Sequence, residues 1–314
     1  MAERFLISRL SSLGDVICTL PVAAALKAGF PDSHVTWAVD PRFAGIVDCC
    51  QNVDEIVRCQ PKFDRKTWPT LEGEYDAALD MQGLLKSALV VRAAKAKVKV
   101  GYHWQREGAW LFSSRVIPDP TSIHVVDQYV DVARAIGGKA DFAEFSLIPK
   151  DEDLANVKTK LTEAGVQGAF VVMNGGAGWV TKRWPPSHFG NLIDSLAEAG
   201  VETVLIGGKA EDDLNVAKAI AEASQRKPKD LVGKTSVREL VALFSLAKAH
   251  VGGDTGSSHL AAALTIPAIG LYSITKPVRS CPYGQIDRCH FDSRGLSYID
   301  PSAVAETVLA AIKS

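Results

Sequence analysis

The stretch Ala249-His-Val-Gly-Gly-Asp-Thr-Gly-Ser-Ser-His-Leu-Ala-Ala-Ala263 passes from a short apolar run through a glycine turn into apolar residues at helical spacing. It reads as a buried strand over Ala249–Gly252, a sharp turn, and a helix over Ser257–Leu264. The first amides of such a helix have no intrahelical acceptor, and the hydroxyls of Thr255, Ser257 and Ser258 stand beside them. Together they predict a seat for a diphosphate. Asp254 reads either as a helix cap or as a contact to the same ligand. His259, one turn in, reads as a core histidine or as part of that seat. No G-x-S-x-G elbow is present, which argues against a Ser-His-Asp hydrolase.

The same strand–turn–helix unit recurs on both sides. In the second half, strands are expected at Ala169–Asn174, Val201–Ile206, Asp230–Val232 and Ala268–Tyr272. Helices are expected at Asp151–Ala164, Pro185–Ala199, Glu211–Ala223, Ser236–Ala247 and Pro301–Ile312. In the first half, Arg4–Leu10, Val35–Val39, Asp54–Val57, Tyr75–Met81 and Val98–Gly101 read as strands. Val16–Ala28 (with Pro21 inside it), Pro41–Cys49, Leu84–Ala94 and Thr121–Ile136 read as helical. Alternation of this kind predicts parallel sheets covered by helices, an α/β class. The connector Phe145–Asp153 separates two halves, 1–150 and 151–300, of Rossmann-like character. Ligands of such sheets bind beyond the carboxyl ends of the strands, so two facing sheets are expected to enclose a cleft.

Two further loops follow strands. Arg9-Leu-Ser-Ser-Leu-Gly-Asp15 enters the first helix, where Asp15 serves either as a cap or as a general base. Asn174-Gly-Gly-Ala-Gly178 opens the second half and leads to Thr181-Lys-Arg-Trp-Pro185. Its small residues admit a ligand to the backbone, and Lys182 stands where an anion would meet it. The spacing is neither a Walker A motif nor G-x-G-x-x-G.

Composition removes other classes. The chain has 314 residues, 47% hydrophobic and 23% charged, with a formal charge of −1. Residues 1–150 carry 18 basic and 18 acidic side chains, leaving 17 and 18 beyond. Nucleic-acid binding through bulk charge is therefore not expected. An anionic partner must meet a local basic patch, such as Lys62, Arg65 and Lys66, or residues 82–106, which include Lys86 and Arg106 and no acid. No apolar stretch reaches the roughly 20 residues needed to span a bilayer. The six cysteines form no C-x-x-C pair, there is no H-E-x-x-H, and reduced thiols in a cytoplasmic protein are expected.

Five of these segments, in this order, resemble the heptosyltransferases of glycosyltransferase family 9. They are Arg9–Asp15 with Thr19-Leu-Pro21, Asp80-Met-Gln-Gly-Leu-Leu-Lys-Ser87, Lys182-Arg-Trp-Pro185 and Asp254-Thr-Gly-Ser-Ser-His-Leu-Ala-Ala-Ala263. The resemblance implies a GT-B fold of two Rossmann-like domains, whose last helix (301–314) commonly crosses back onto the N-terminal domain. It implies inverting, metal-independent transfer of a heptosyl group from ADP-heptose, without a cofactor, to a Kdo- or heptose-containing lipid A acceptor. Asp15 and Lys182 take the catalytic positions. The donor side comprises Gly176, Ala177, Gly178, Glu211, Lys234, Thr235, Asp254, Thr255, Gly256, Ser257 and His259. The acceptor side comprises Ser12, Gly14, Lys62, Arg65, Lys66, Gln82, Lys86 and Arg106. The expected setting is cytoplasmic, with peripheral contact at the inner membrane. Ser257, Ala177-Gly178 and Thr275-Lys276 depart from the family pattern and bear on donor sugar and subgroup. Two other readings stay open: a nucleotide-sugar-binding protein without transfer, and a GT-B sugar-nucleotide epimerase.

Overall fold

Runs such as Phe5-Leu-Ile and Val171-Val-Met do not alternate apolar with polar residues, so their strands must be covered on both faces. A computed structural model of the chain describes residues 2–62, 64–176 and 183–313. The chain divides into two units, Met1–Ile148 and Pro149–Ser314.

The first unit contains β1 (Arg4–Ser8), α1 (Leu13–Gly29), β2 (His34–Val39), α2 (Ala44–Val47), β3 (Glu55–Arg58), β4 (Tyr75–Asp80), α3 (Leu85–Ala93), β5 (Ala96–Tyr102), β6 (Ser114–Val116) and α4 (Val125–Arg134). All of its strand pairs are parallel, in the order β3-β2-β1-β4-β5-β6. Leu6, Ala38, Ala78, Val90 and Val91 form a core between the sheet and α3.

The second unit contains α5 (Asp151–Glu163), β7 (Phe170–Asn174), α6 (Pro186–Glu198), β8 (Glu202–Ile206), α7 (Glu211–Ala223), β9 (Lys229–Asp230), α8 (Val237–Leu246), β10 (Ala249–Gly253), α9 (Gly256–Ala263), β11 (Ala268–Tyr272), α10 (Pro277–Ser280), β12 (Cys289–Phe291) and α11 (Pro301–Ala311). Its parallel sheet runs β12-β11-β10-β7-β8-β9. Read from the other edge, this is the same order as in the first unit. Each sheet starts in its middle, grows to one side, and then returns to grow to the other, as in a doubly wound fold. Among the described residues no helix is long and apolar enough to cross a membrane.

Several elements differ from the sequence reading. The helix expected over Pro41–Cys49 is reduced to one turn, because Asp40 grips Arg42 through both carboxylate oxygens and holds the chain in a turn first. The first helix begins earlier, at Leu13, where Ser12 and Asp15 form a capping box, and it continues through Pro21. Strands β6 and β12 are three-residue edge strands, too short for a periodic signal. The last helix, α11, packs in the second unit, where Val304, Ala305 and Val308 are buried in the same core as Val171, Leu192 and Ile269. Its apolar face is satisfied there, against α6, β10 and β11.

In that core α6 lies close to the end of α7. A Cβ placed on Gly190 meets the Ala223 carbonyl oxygen at 2.6 Å and its carbon at 2.7 Å, both backbone atoms that yield little. Gly190→Ala is therefore expected to destabilise the protein by about 1–3 kcal/mol, read as a lower melting temperature by circular dichroism.

Candidate active site

Where strand order reverses, the loops leaving two adjacent parallel strands turn to opposite faces and open a crevice at their carboxyl ends. In the first unit that point lies between β1 and β4. The loop after β1 carries Arg9, Ser11 and Ser12 to the head of α1, where Asp15 stands. Oδ2 of Asp15 accepts from the Ser12 amide (3.1 Å) and hydroxyl (2.9 Å). Oδ1 is ion-paired to Arg9 Nη2 at 2.7 Å; the arginine side chain is buried and the carboxylate is 46% exposed. Asp15 thus caps its helix and still faces solvent, so the two sequence readings of this residue are compatible.

Arg9 is one of the few charges buried in the unit. Its Nη1 donates to the Met81 carbonyl, and its guanidinium lies 5.1 Å from the centre of the Tyr129 ring. Burial pushes the Tyr129 hydroxyl pKa up, keeping that ring neutral beside the cation. After β4, Asp80 Oδ1 accepts from the amides of Gln82 (3.1 Å) and Gly83 (2.9 Å), and burial raises the Asp80 pKa. Gln82 in turn joins the two loops, accepting from the Leu10 amide (3.0 Å) and donating to Ser11 Oγ (3.2 Å).

Lys86, on α3, donates to the same Ser11 hydroxyl at 2.6 Å, and burial draws its pKa down. It lines a cavity of about 410 Å³ together with Asp40, Arg42, Gln60 and Lys62. Asp40 is held down to about 2, chiefly by hydrogen bonds from Arg42. Arg65 and Lys66 are not among the lining residues; Arg65 stacks on Trp68 at 5.7 Å and Lys66 is exposed. Arg106 stands apart too. Its amide donates to Gly83 (2.7 Å) while its guanidinium lies over Trp104.

The second unit reverses its order at β7 and β10. Asn174, ending β7, accepts from the Gly176 amide (3.0 Å) and donates to Ser257 Oγ (3.0 Å) at the start of α9. Ser257 shares a further hydrogen bond with Thr255 at 2.8 Å. The two loops are therefore tied at the head of α9, whose capping residue Thr255 makes no side-chain cap. Asp254, Thr255, Gly256 and His259 are all partly exposed there. Ala177, Gly178 and Lys182 lie outside the described residues.

A sequence profile of glycosyltransferase family 9 (heptosyltransferase) matches residues 65–295. The chain belongs to glycosyltransferase family 9. It is 30% identical over 322 residues to lipopolysaccharide heptosyltransferase 1 of Escherichia coli K12, covering 96% of this chain and 98% of that one. With the lipopolysaccharide core heptosyltransferase OpsX of Haemophilus influenzae it shares 26% over 299 residues, covering 90% and 82%. The solved structure of E. coli heptosyltransferase WaaC with ADP superposes with a TM-score of 0.78 at 28% identity, covering 98% and 99%. The fold is accordingly GT-B, and the protein is a glycosyltransferase.

For this transferase the structure also shows what the sequence reading missed. Asp213, the third acid of the Glu211-Asp-Asp run, accepts from the Gly208 amide at 3.0 Å. A Cβ on Gly176 would meet its Oδ1 at 2.6 Å, so Asp213 borders the glycine loop while Glu211, two residues earlier in the same turn, is exposed. Three acids in one first turn were the available signal. Arg42, which lines the cavity in the first unit, was missed because its role depends on Asp40 and Gln60 folding around it. Lys234 is engaged elsewhere: its ammonium donates to the Asp230 carbonyl (2.8 Å), and its own carbonyl accepts from Lys160. Thr235, beside it, is partly exposed.

Beneath the head of α9, His250 is wholly buried. Its Nδ1 faces the Val172 carbonyl at 3.0 Å and its Nε2 faces Ser258 Oγ at 3.3 Å. Burial lowers its pKa to about 4, so it is neutral in the folded protein. The unfolded imidazole takes a proton near pH 6.5, so stability is full above that value and declines as pH falls toward 4. From about pH 8 to pH 5 this group is expected to remove about 2 kcal/mol. Urea unfolding at both pH values is expected to show that loss in the parent chain and a correspondingly smaller one in His250→Gln.

Proposed function

We propose that this transferase moves a heptosyl group from ADP-heptose to the Kdo- or heptose-bearing inner core of a lipid A acceptor, with inversion and without a metal ion. The observation that carries the proposal is the half-exposed Asp15 carboxylate, held by a buried guanidinium at the strand-order reversal of the first unit. Heptosyltransferase 1 of E. coli, similar along nearly its whole length, supports the donor and acceptor classes. The solved WaaC, whose complex contains ADP, supports the nucleotide of the donor.

In this reading an acceptor hydroxyl gives its proton to Asp15 while its oxygen attacks the anomeric carbon. The bond from that carbon to the diphosphate oxygen breaks on the opposite face, inverting the centre. Positive charge gathers on the sugar and negative charge on the departing ADP. Lys182, together with the helix-start amides and the hydroxyls of Thr255 and Ser257, is assigned to the ADP charge. Among the described residues no three His, Cys, Asp or Glu side chains are grouped to hold a metal ion. Asp213, Glu211 and Thr235 are assigned to the nucleoside side of the donor. Lys62, Lys86, Gln82 and Arg42 are assigned to the acid and phosphate groups of the acceptor, with Ser12 and Gly14 shaping the approach to Asp15. Such a reaction belongs at the cytoplasmic face of the inner membrane.

Asp15→Asn keeps the shape and the Ser12 contacts but cannot take the proton. It is expected to lower transfer roughly a hundredfold to ten-thousandfold while ADP binding, read by calorimetry, stays near the parent value. Transfer close to the parent rate would remove Asp15 from the role of base. EDTA is expected to leave the rate unchanged. An epimerised free nucleotide sugar formed without acceptor would point to the epimerase reading instead.

A further inference from the structure

Asp15 is held from two sides. Ser12, three residues away, fixes Oδ2 through contacts that a capped helix start makes locally. Arg9 fixes Oδ1, so the direction of that oxygen depends on what holds the guanidinium. One of its nitrogens donates to the Met81 carbonyl and one is spent on Asp15, while Nε is buried without a hydrogen-bond partner. The remaining cover comes from α4. The Tyr129 ring centre lies 5.1 Å from the guanidinium carbon, and the guanidinium also donates to the Tyr129 hydroxyl. The ring is itself buried and locked. Tyr102 stands edge-on to it at 4.8 Å, and the Tyr102 hydroxyl donates to Gln128 Oε1, also on α4, at 2.8 Å.

The guanidinium has a second acid to turn to. Asp80, wholly buried at the end of β4, feels its charge and has Oδ2 without a hydrogen-bond partner. Cys18 on α1 and Lys86 on α3 are the other titratable groups facing Arg9. We infer that Tyr129 is a positioning residue for the transfer: its stacked ring keeps the Arg9 guanidinium on Asp15, and so keeps Asp15 aimed as a base. A flat ring against a flat cation favours one orientation of the fork and offers its negative face to the charge. An aliphatic side chain of similar volume fills the same space but does neither. Burial keeps the Tyr129 hydroxyl neutral, so it adds no competing anion beside Asp15. The inference rests on the proposed role of Asp15 as the base.

Variants at this position test it, with folding checked by circular dichroism. Tyr129→Leu removes ring and hydroxyl and is expected to lower kcat roughly tenfold, with ADP affinity, read by calorimetry, near the parent value. Tyr129→Phe keeps the ring and is expected to recover most of that loss. Should the Leu variant fail to fold, Tyr129→Met, unbranched and adaptable, takes its place. A carbon-13 titration of the Asp15 carboxyl, assigned through Asp15→Asn, reads the position without any transfer assay. A loosened cation stabilises the carboxylate less, so in Tyr129→Leu the midpoint is expected to rise by about one pH unit, and the acid limb of kcat with it. A folded Leu or Met variant with the parent kcat and midpoint overturns the positioning role, as does a Phe variant no better than Leu. Loss of kcat with an unmoved midpoint marks a structural role only and overturns it as well. If the midpoint moves and transfer does not, the positioning stands and the reaction reading falls. If Asp15→Asn loses transfer while Tyr129→Leu changes neither readout, only the positioning falls.

Discussion

A parallel strand cannot receive its next parallel neighbour through a tight turn; the chain must cross over one face and return. Both units begin their sheets in the middle and grow outward in turn, so each must reverse once, beside β1 and beside β7. At that reversal the loops part, and backbone amides and loop side chains are left without helix or strand partners. The chemistry-bearing groups of each unit gather there. Asp15 and Gln82 flank one reversal; Asn174, Thr255 and Ser257 flank the other.

What makes the first of these a site rather than a gap is Arg9. A guanidinium removed from water is costly unless its charge is paired and most of its donors are met; only the Nε of Arg9 is buried without a hydrogen-bond partner. Here the group bonds the Met81 carbonyl after β4 and Asp15 on α1, and it lies against Tyr129 on α4. One side chain therefore ties three elements to the loop after β1 and fixes one oxygen of Asp15. Loss of that cation would remove the ion pair that fixes Oδ1 of Asp15, while the Ser12 contacts to Oδ2 remain.

The glycines of the second site have a role that ligand binding alone does not explain. A Cβ on Gly175 would meet Ile220 at 2.4 Å, so α7 packs directly onto the loop after β7. The void between them is about 10 Å³, too small for any part of a nucleotide. Small residues were read from sequence as room for a ligand; at Gly175 that room is filled by a helix. Gly176 and Gly208 instead make way for Asp213, which accepts the Gly208 amide.

Local signals carried much of this protein. Apolar runs buried on both faces, turns rich in glycine, and capped helix starts depend on neighbouring residues, so the alternation of strands and helices, the α/β class and loops such as Asp254–His259 were readable from the chain. Asp15 was readable as well, because its cap lies three residues away. Tertiary structure decided whatever depended on distant partners. Lys62 and Lys86 share a cavity with Arg42 only because β2, β3 and α3 converge, whereas Arg65, Lys66 and Arg106, equally basic in sequence, do not line it. Strands β6 and β12 exist only because a longer neighbour offers its edge, and α11 settled on the second unit because α6, β10 and β11 presented an apolar face to it. Spacing along the chain reveals periodicity and caps; which distant charges meet, and which apolar faces cover one another, is fixed by packing alone.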